Sequence, residues 1–171
     1  MLAGESVTIA VTANDTSAAP IDSIAIATPP SEGTAVVSGL EIIYTAPTLA
    51  PPTVQFTYTS SGPGGSSNPA TVTLTVNPLP IPVVQAVSTL PATPVTVDIT
   101  AGATGGPFTA ADIVAVTPAG SGTATVAPGG SGYLLTFTPA AAFTGVATVQ
   151  FTVSNAFATS AITARASVCP S

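Results

Sequence analysis

The side chains that most often carry out catalysis are nearly missing from this sequence. It has no His and a single basic residue, Arg165, while its seven acidic residues are scattered over 171 positions. The common general bases and Schiff-base nucleophiles are therefore absent, and a zinc site would need clustered Cys and His. We predict that the chain is not an enzyme, with no catalytic, cofactor-binding or metal-ligating residues and no cofactor.

Calcium is the one metal for which the acidic residues deserve separate consideration. Asp15 and Asp22 are close in sequence, and Glu32 is the next acid along the chain. Calcium takes about six to eight oxygen ligands, usually including several carboxylates. Asp15, in "ANDT", is more simply explained as a turn residue whose side chain bonds its own backbone. The sequence therefore favours a turn over a calcium site.

The only cysteine, Cys169, lies close to the last residue of the sequence. A single cysteine excludes an internal disulfide. Two interpretations stay open: a small residue in a last strand or linker, or a thiol that pairs with another chain or with a segment beyond Ser171.

Sugar binding would need an exposed aromatic platform, and the chain has no Trp. Tyr44 aligns with Phe137 when the two halves of the chain are compared, and Tyr133 shares a strand face with Phe137, so we expect core positions for all three. The aromatic residues in loop-like stretches are Phe108, Phe143 and Phe157. Anchoring of loops is the favoured role for them.

The scarcity of charge excludes two classes of partner. Only 5% of the residues are charged. Nucleic acid phosphates and anionic membrane surfaces are both bound through Lys and Arg, and no apolar run approaches the roughly 20 residues of a membrane span. We expect no nucleic acid partner and no membrane insertion.

The elements that position these side chains are predicted to be short β-strands that occur twice. Thr and Val, which favour strands, are frequent, and Gly and Pro separate the apolar runs. "VQFTYT" (54–59) returns as "VQFTVS" (149–154). In each copy the apolar set lies on one face, which is typical of a central strand facing a core; these residues are Val54, Phe56 and Tyr58, and Val149, Phe151 and Val153.

Other features follow the same order in both halves. The matching segments are "VTIAVT" with "VTVDIT", "SIAIATPPSEGTAVV" with "DIVAVTPAGSGTATV", "LEIIYTAP" with "YLLTFTP", and "ATVTLTV" (70–76) with "AITARASV" (161–168). "VVQAVST" is predicted to open the second unit. This tandem repeat predicts an all-β fold of two immunoglobulin-like antiparallel β-sandwiches, at residues 1–78 and 79–171, with an extended Pro-rich junction at about 77–82. A parallel β-helix is the competing fold.

The motifs "VTAND", "YTAP" and "FTYT", and a Gly-Thr strand start, resemble bacterial immunoglobulin-like or cadherin-like tandem repeats of large extracellular surface proteins, such as adhesins and autotransporter passengers. The resemblance covers residues 5–78 well and 93–170 more loosely. It implies spacer, stalk or adhesive modules located outside the cell or on its surface.

We therefore expect a structural or adhesive segment whose partners are other copies or further repeats of the same protein. One alternative is a subunit of a self-assembling filament or sheath, because edge strands usually carry protective Lys residues and this chain has none. A further alternative is a module that binds a glycan or a surface receptor.

Overall fold

The chain is built from β-strands arranged in two compact units. The computed structural model describes residues 1–160 and 164–170, and all regular structure in that part of the chain is strand. Unit 1 comprises Met1–Pro78 and unit 2 comprises Leu79–Ser171. The predicted all-β class is confirmed.

Unit 1 is a sandwich of two sheets. Its strands are β1 (Ser6–Ile9), β2 (Ser23–Thr28), β3 (Thr34–Ser38), β4 (Glu41–Thr45), β5 (Thr53–Gly62), β6 (Gly65–Ser66) and β7 (Ala70–Thr75). One sheet has the order β1-β4-β3; in the other, β5 pairs with β2, β6 and β7. Each of these strand pairs is antiparallel.

Unit 2 repeats this arrangement. Its strands are β8 (Gln85–Thr89), β9 (Val95–Asp98), β10 (Ala110–Thr117), β11 (Gly122–Gly129), β12 (Gly132–Pro139), β13 (Ala147–Ser154) and β14 (Ala164–Pro170). The sheets have the orders β11-β12-β9 and β10-β13-β14-β8. The division of strands between two sheets is that of an immunoglobulin-like sandwich, so the predicted fold is confirmed and the β-helix alternative is wrong.

Among the strands that the structure describes, one pair is parallel. β8, predicted as the opening strand of the second unit, pairs in parallel with β14. In unit 1 the corresponding contact is the parallel bridge between Leu2 and Asn77. Residues 161–163 of the last predicted strand lie outside the described residues.

The repeated VQFT segment forms the central strand of its sheet in both units. β5 lies between β2 and β7, and β13 lies between β10 and β14. Phe56 is 1% exposed and Phe151 is 0% exposed, and Tyr44 and Phe137 are likewise buried. These aromatic residues are core, as predicted.

Two strands end earlier than the alternation of apolar residues predicts. β1 stops at Ile9, because the Val11 amide donates to the Ile9 carbonyl (2.9 Å) and the chain turns. β9 stops at Asp98, whose carboxylate accepts a hydrogen bond from the Thr100 amide (2.8 Å). An Asp side chain bonded two residues ahead forms a turn and so ends the strand.

On either side of the Pro-rich junction, the backbone is hydrogen-bonded to residues of its own unit. On the unit 1 side, the Asn77 amide donates to the Met1 carbonyl (2.9 Å). On the unit 2 side, Ile81 exchanges two backbone hydrogen bonds with Thr104, of 2.9 and 3.0 Å. Pro80 is buried.

Candidate functional site

A polar groove of about 500 Å³ lies in unit 1. One wall is the loop that follows β1, at residues 14–17 and 20–21, and the other is the β5–β6 hairpin with the start of β7. These are the connection between β1 and β2 and the segment that joins β5 to β7 through β6.

The hairpin wall is formed by "SGPGGSS", at residues 61–67. β5 continues to Gly62 and pairs with β6 through Ser61–Ser66 and Gly62–Gly65, and the two serine hydroxyls are 2.8 Å apart. A Cβ at Gly62 would collide with the Pro20 carbonyl. Glycine at this position therefore allows the loop and the hairpin to approach each other.

Tyr58 lines the groove from the core side. Its hydroxyl donates to the Val11 carbonyl (2.7 Å) and lies 3.3 Å from Asp15 Oδ1. Burial raises the pKa of Tyr58, and the charge of Asp15 and its hydrogen bond raise it further. The phenol therefore stays protonated at neutral pH, and its contacts join the loop to the core rather than supplying an acid or base.

The acidic residues considered for calcium do not gather in this groove. Asp15 lines it, whereas Asp22 and Glu32 do not, and among the described residues no three His, Cys, Asp or Glu side chains are placed to hold a metal. Asp15 lies just after a turn, where its amide donates to the Thr12 carbonyl. The expectation for its side chain is wrong, because the carboxylate contacts Tyr58 rather than its own backbone.

The aromatic residues predicted in loops of unit 2 divide into two groups. Phe108 and Phe143 pack partly buried against the unit 2 core, together with Tyr133. Phe157 is 55% exposed. The loop-anchoring role is thus correct for Phe108 and Phe143.

Two further features concern membranes and the lone thiol. In the described part of the chain, no helix has the length and apolar character needed to cross a membrane.

The backbone of Cys169 belongs to β14, but its side chain lies outside what the structure describes, so the role of this thiol stays a prediction.

The groove offers chemistry for a neutral, hydrogen-bonding ligand. Its polar groups are the amides of Asn14 and Asn68, several serine and threonine hydroxyls, and the Asp15 carboxylate. In unit 2, by contrast, the corresponding loops are joined directly, since Asn155 Nδ2 donates to the Gly105 carbonyl (2.8 Å). The sequence signal for the groove is the Gly-, Ser- and Pro-rich hairpin of the first repeat, but no local pattern relates this hairpin to the β1–β2 loop.

Comparison with known proteins gives one family. The family described as "Bacterial Ig domain" matches residues 1–75 and 77–168. No curated protein matches the chain.

Several solved structures resemble it at low identity. The titin I-band fragment I67–I69 is 15% identical, with 99% of this chain and 61% of that chain covered and a TM-score of 0.42. The endo-fucoidan hydrolase MfFcnA4, from glycoside hydrolase family 107, is 12% identical over 88% of this chain, with a TM-score of 0.38. This chain covers 24% of that hydrolase and 28% of the related MfFcnA9. At these TM-scores the likenesses carry no information about function.

Proposed function

This chain belongs to the bacterial Ig domain family, and from that premise we propose that its two sandwiches form a non-catalytic spacer, stalk or adhesive segment of a bacterial extracellular or cell-surface protein. Domains of this family commonly occur in extracellular surface proteins. The family membership covers both units, so the proposal applies to the whole chain.

The observation that carries the proposal is the tandem arrangement of two sandwiches, each with its own sheets and buried residues. They follow each other closely in sequence, since Asn77 is hydrogen-bonded within unit 1 and Ile81 within unit 2. Folded modules in series with short connections provide length at a low cost in chain entropy. Such a segment holds whatever is attached to it away from its anchor.

The composition supports an extracellular location. Arg165 is the single site at which a trypsin-like protease would cut, because the sequence has one basic residue. Strand-rich sandwiches also resist other proteases, since cleavage needs local unfolding of an exposed segment.

The proposal is tested by locating the segment on the source bacterium. An antibody raised against residues 1–171 should label intact cells, and brief proteinase K treatment of the intact cells should remove the label. A cytoplasmic protein followed on the same samples should survive the protease. Labelling that appears only after lysis would refute the extracellular location.

The groove in unit 1 favours a second function, recognition of a neutral glycan or of a receptor. Its volume of about 500 Å³ falls in the range of small-molecule sites, and its amide, hydroxyl and carboxylate groups match the hydrogen bonds that a sugar offers.

This second function is tested by titrating ¹⁵N-labelled protein with neutral mono- and disaccharides. Amide shifts confined to residues 14–17 and 60–68 would support it, and an Asn14→Ala, Asn68→Ala variant should lose them. Unit 2 amides serve as the internal control. Shifts that are absent, or equal in both units, would count against it.

A further inference from the structure

The outer face of the β1-β4-β3 sheet carries apolar side chains that its own fold leaves uncovered. Val36 on β3 is 59% exposed and Ile43 on β4 is 36% exposed. The two residues are cross-strand partners. Leu40, in the turn that joins the two strands, is also exposed, at 37%.

Unit 2 shows that the fold does not require these side chains to be apolar. In unit 1, Ile43 on β4 has two cross-strand partners, Val36 on β3 and Thr8 on β1. In unit 2, the corresponding residue Thr136 on β12 is paired with Thr125 on β11 and with Thr96 on β9. The Thr96 and Thr136 hydroxyls are 3.0 Å apart. At the same two positions, therefore, unit 1 has Val and Ile where unit 2 has Thr.

The patch borders an open sheet edge. β3 is the last strand of its sheet, and the described residues pair it with β4 alone. Its residues, TAVVS, include no charge and no proline, and its ladder with β4 has no register shift. Charges, bulges and prolines are the usual devices that stop an edge from pairing with another chain.

Three other edge strands of this protein, β2, β10 and β11, have such a device. The ladders of β2 and β10 are interrupted by register shifts, at Ile26/Thr28 and Ile113/Ala115. β11, the counterpart of β3, contains Pro128 opposite Tyr133. The next pair, Gly129–Gly132, closes a two-residue turn and is hydrogen-bonded, so the Pro128–Tyr133 pair is not. The proline nitrogen therefore faces the open edge, where it cannot donate a hydrogen bond.

The turn geometry identifies which backbone groups of β3 are unpaired. The β3–β4 connection is a two-residue turn at Gly39 and Leu40, with Gly39 at φ +64°, as in turns with glycine first. Such a turn closes on a hydrogen-bonded pair, here Ser38–Glu41. Pairs alternate along an antiparallel ladder, so Val36 bonds to β4, and the amides and carbonyls of Ala35 and Val37 point to the open edge.

We propose that β3 pairs antiparallel with β3 of a second copy of this chain, about a two-fold axis through Val36. The strand is nearly self-complementary about that residue: Thr34 would face Ser38 of the other copy, and Ala35 would face Val37. The pairing joins two three-stranded sheets into one of six strands. It brings together the two Val36 side chains and the two Ile43 side chains beside them, with no like charges opposed along the strand.

A second copy is the occupant that the chain's own chemistry favours. The formal charge is −6 with one basic residue, so a charged partner would be a cationic one, yet the β3 edge is neutral. A neutral, self-matching edge fits an identical edge. Five-residue strands bury less area than the roughly 1,200 Å² of a stable interface, so each contact is weak and gains strength where many copies are held on one surface. The pairing depends neither on the groove nor on the cellular location.

The pairing is tested by disulfide trapping in the Cys169→Ser background, which leaves the introduced thiol as the only one. Val36 pairs with its own copy at a non-hydrogen-bonded position, where Cα atoms are about 4.5 Å apart, within disulfide range. Val36→Cys should form covalent dimers at least about tenfold faster than Thr125→Cys, because pairing raises the effective thiol concentration. Equal rates, or no dimer from Val36→Cys, would overturn the proposal.

A second measurement uses no cysteine. Sedimentation velocity at rising concentration should show reversible dimerisation of the unmodified chain. It should also show a weaker tendency in the Val36→Thr, Ile43→Thr variant, which reproduces the unit 2 surface and for that reason should fold. A chain that stays monomeric at about 1 mM, the effective concentration reached between tethered modules, would refute the self-pairing, as would a variant that dimerises as strongly as the parent.

Discussion

Two buried tyrosines of unit 1 occupy positions at which unit 2 has residues that cannot titrate. Tyr44 corresponds to Phe137 and Tyr58 to Val153, and all four are buried. Burial raises the pKa of both tyrosines, with smaller contributions from Glu32 for Tyr44 and from Asp15 for Tyr58. Both units therefore bury a largely apolar side chain at these two positions, but only the unit 1 residues carry a hydroxyl group.

We predict that unit 1 loses stability at alkaline pH. Unfolded tyrosine ionises near pH 10, whereas the folded tyrosines stay protonated to higher pH. Their contribution is therefore complete below about pH 10 and is lost as the pH rises through the folded-state pKa. Urea midpoints followed by circular dichroism at about pH 8 and pH 11 should show the loss, and Tyr44→Phe should show a smaller one. An equal loss in the variant would contradict the assignment to Tyr44.

Removing one buried hydroxyl from unit 2 should increase stability. Ser121 is 1% exposed, and its Oγ has no hydrogen-bond partner among the described residues. Its backbone groups are satisfied by the Pro118 carbonyl and the Ala140 amide and would be unaffected. Ser121→Ala should therefore stabilise unit 2 by about 1 kcal/mol in urea unfolding, since an unpaired polar group no longer has to be desolvated.

The matched control for that substitution is Ser160→Ala. Ser160 is 5% exposed, and its Oγ accepts a hydrogen bond from the Val153 amide (3.0 Å). Loss of a buried partner should destabilise unit 2 by about 1 to 2 kcal/mol. If Ser121→Ala destabilises unit 2 as Ser160→Ala does, the Ser121 hydroxyl has a hydrogen-bond partner and the prediction is wrong.

Among the elements, the central strands are the part most fully predictable from sequence. In VQFT the alternation of apolar and polar residues with period two is enough to assign the buried face, and Phe56 and Phe151 lie there. Strand ends were less predictable, because they depend on contacts such as the one between the Asp98 carboxylate and the Thr100 amide. The parallel β8–β14 pair joins segments far apart in sequence, so no local pattern signals it. In the groove, the hairpin has a local signal, but its approach to the β1–β2 loop has none.

The start of β3 depends on a glycine that alanine cannot replace. At Gly33, with φ +78°, a Cβ would collide with the Thr45 carbonyl and lie 2.6 Å from the Tyr44 hydroxyl, which donates to the Glu32 carbonyl. Gly33→Ala should destabilise unit 1 by about 3 kcal/mol or more, through backbone strain and displacement of a core side chain. Urea unfolding measures the loss.

Gly39 is the control, because it also has positive φ (+64°) but nothing within 4 Å of the added Cβ. Gly39→Ala should cost only the backbone penalty, roughly 1 to 2 kcal/mol. Equal costs at the two glycines would mean that the collision is relieved by local movement.

Across the whole molecule, the two repeats share a core and differ in their surfaces. Val54, Phe56, Val149 and Phe151 occupy equivalent buried positions in the two units. The groove and the apolar β3–β4 patch both belong to unit 1, while the positions in unit 2 that correspond to the patch carry threonines. Both of the contact surfaces proposed above therefore lie on unit 1.

A spacer of this kind requires that each unit unfold without the other. Phe56→Ala and Phe151→Ala remove equivalent buried rings, and each should cost its own unit about 3 to 5 kcal/mol. Hydrogen exchange measured by mass spectrometry should show Phe56→Ala lowering protection in peptides from residues 1–78 alone, and Phe151→Ala in peptides from 79–171 alone. Loss of protection throughout the chain in either variant would mean that the two sandwiches unfold as one cooperative body, and a modular spacer built from independent domains would then be the wrong description of this protein.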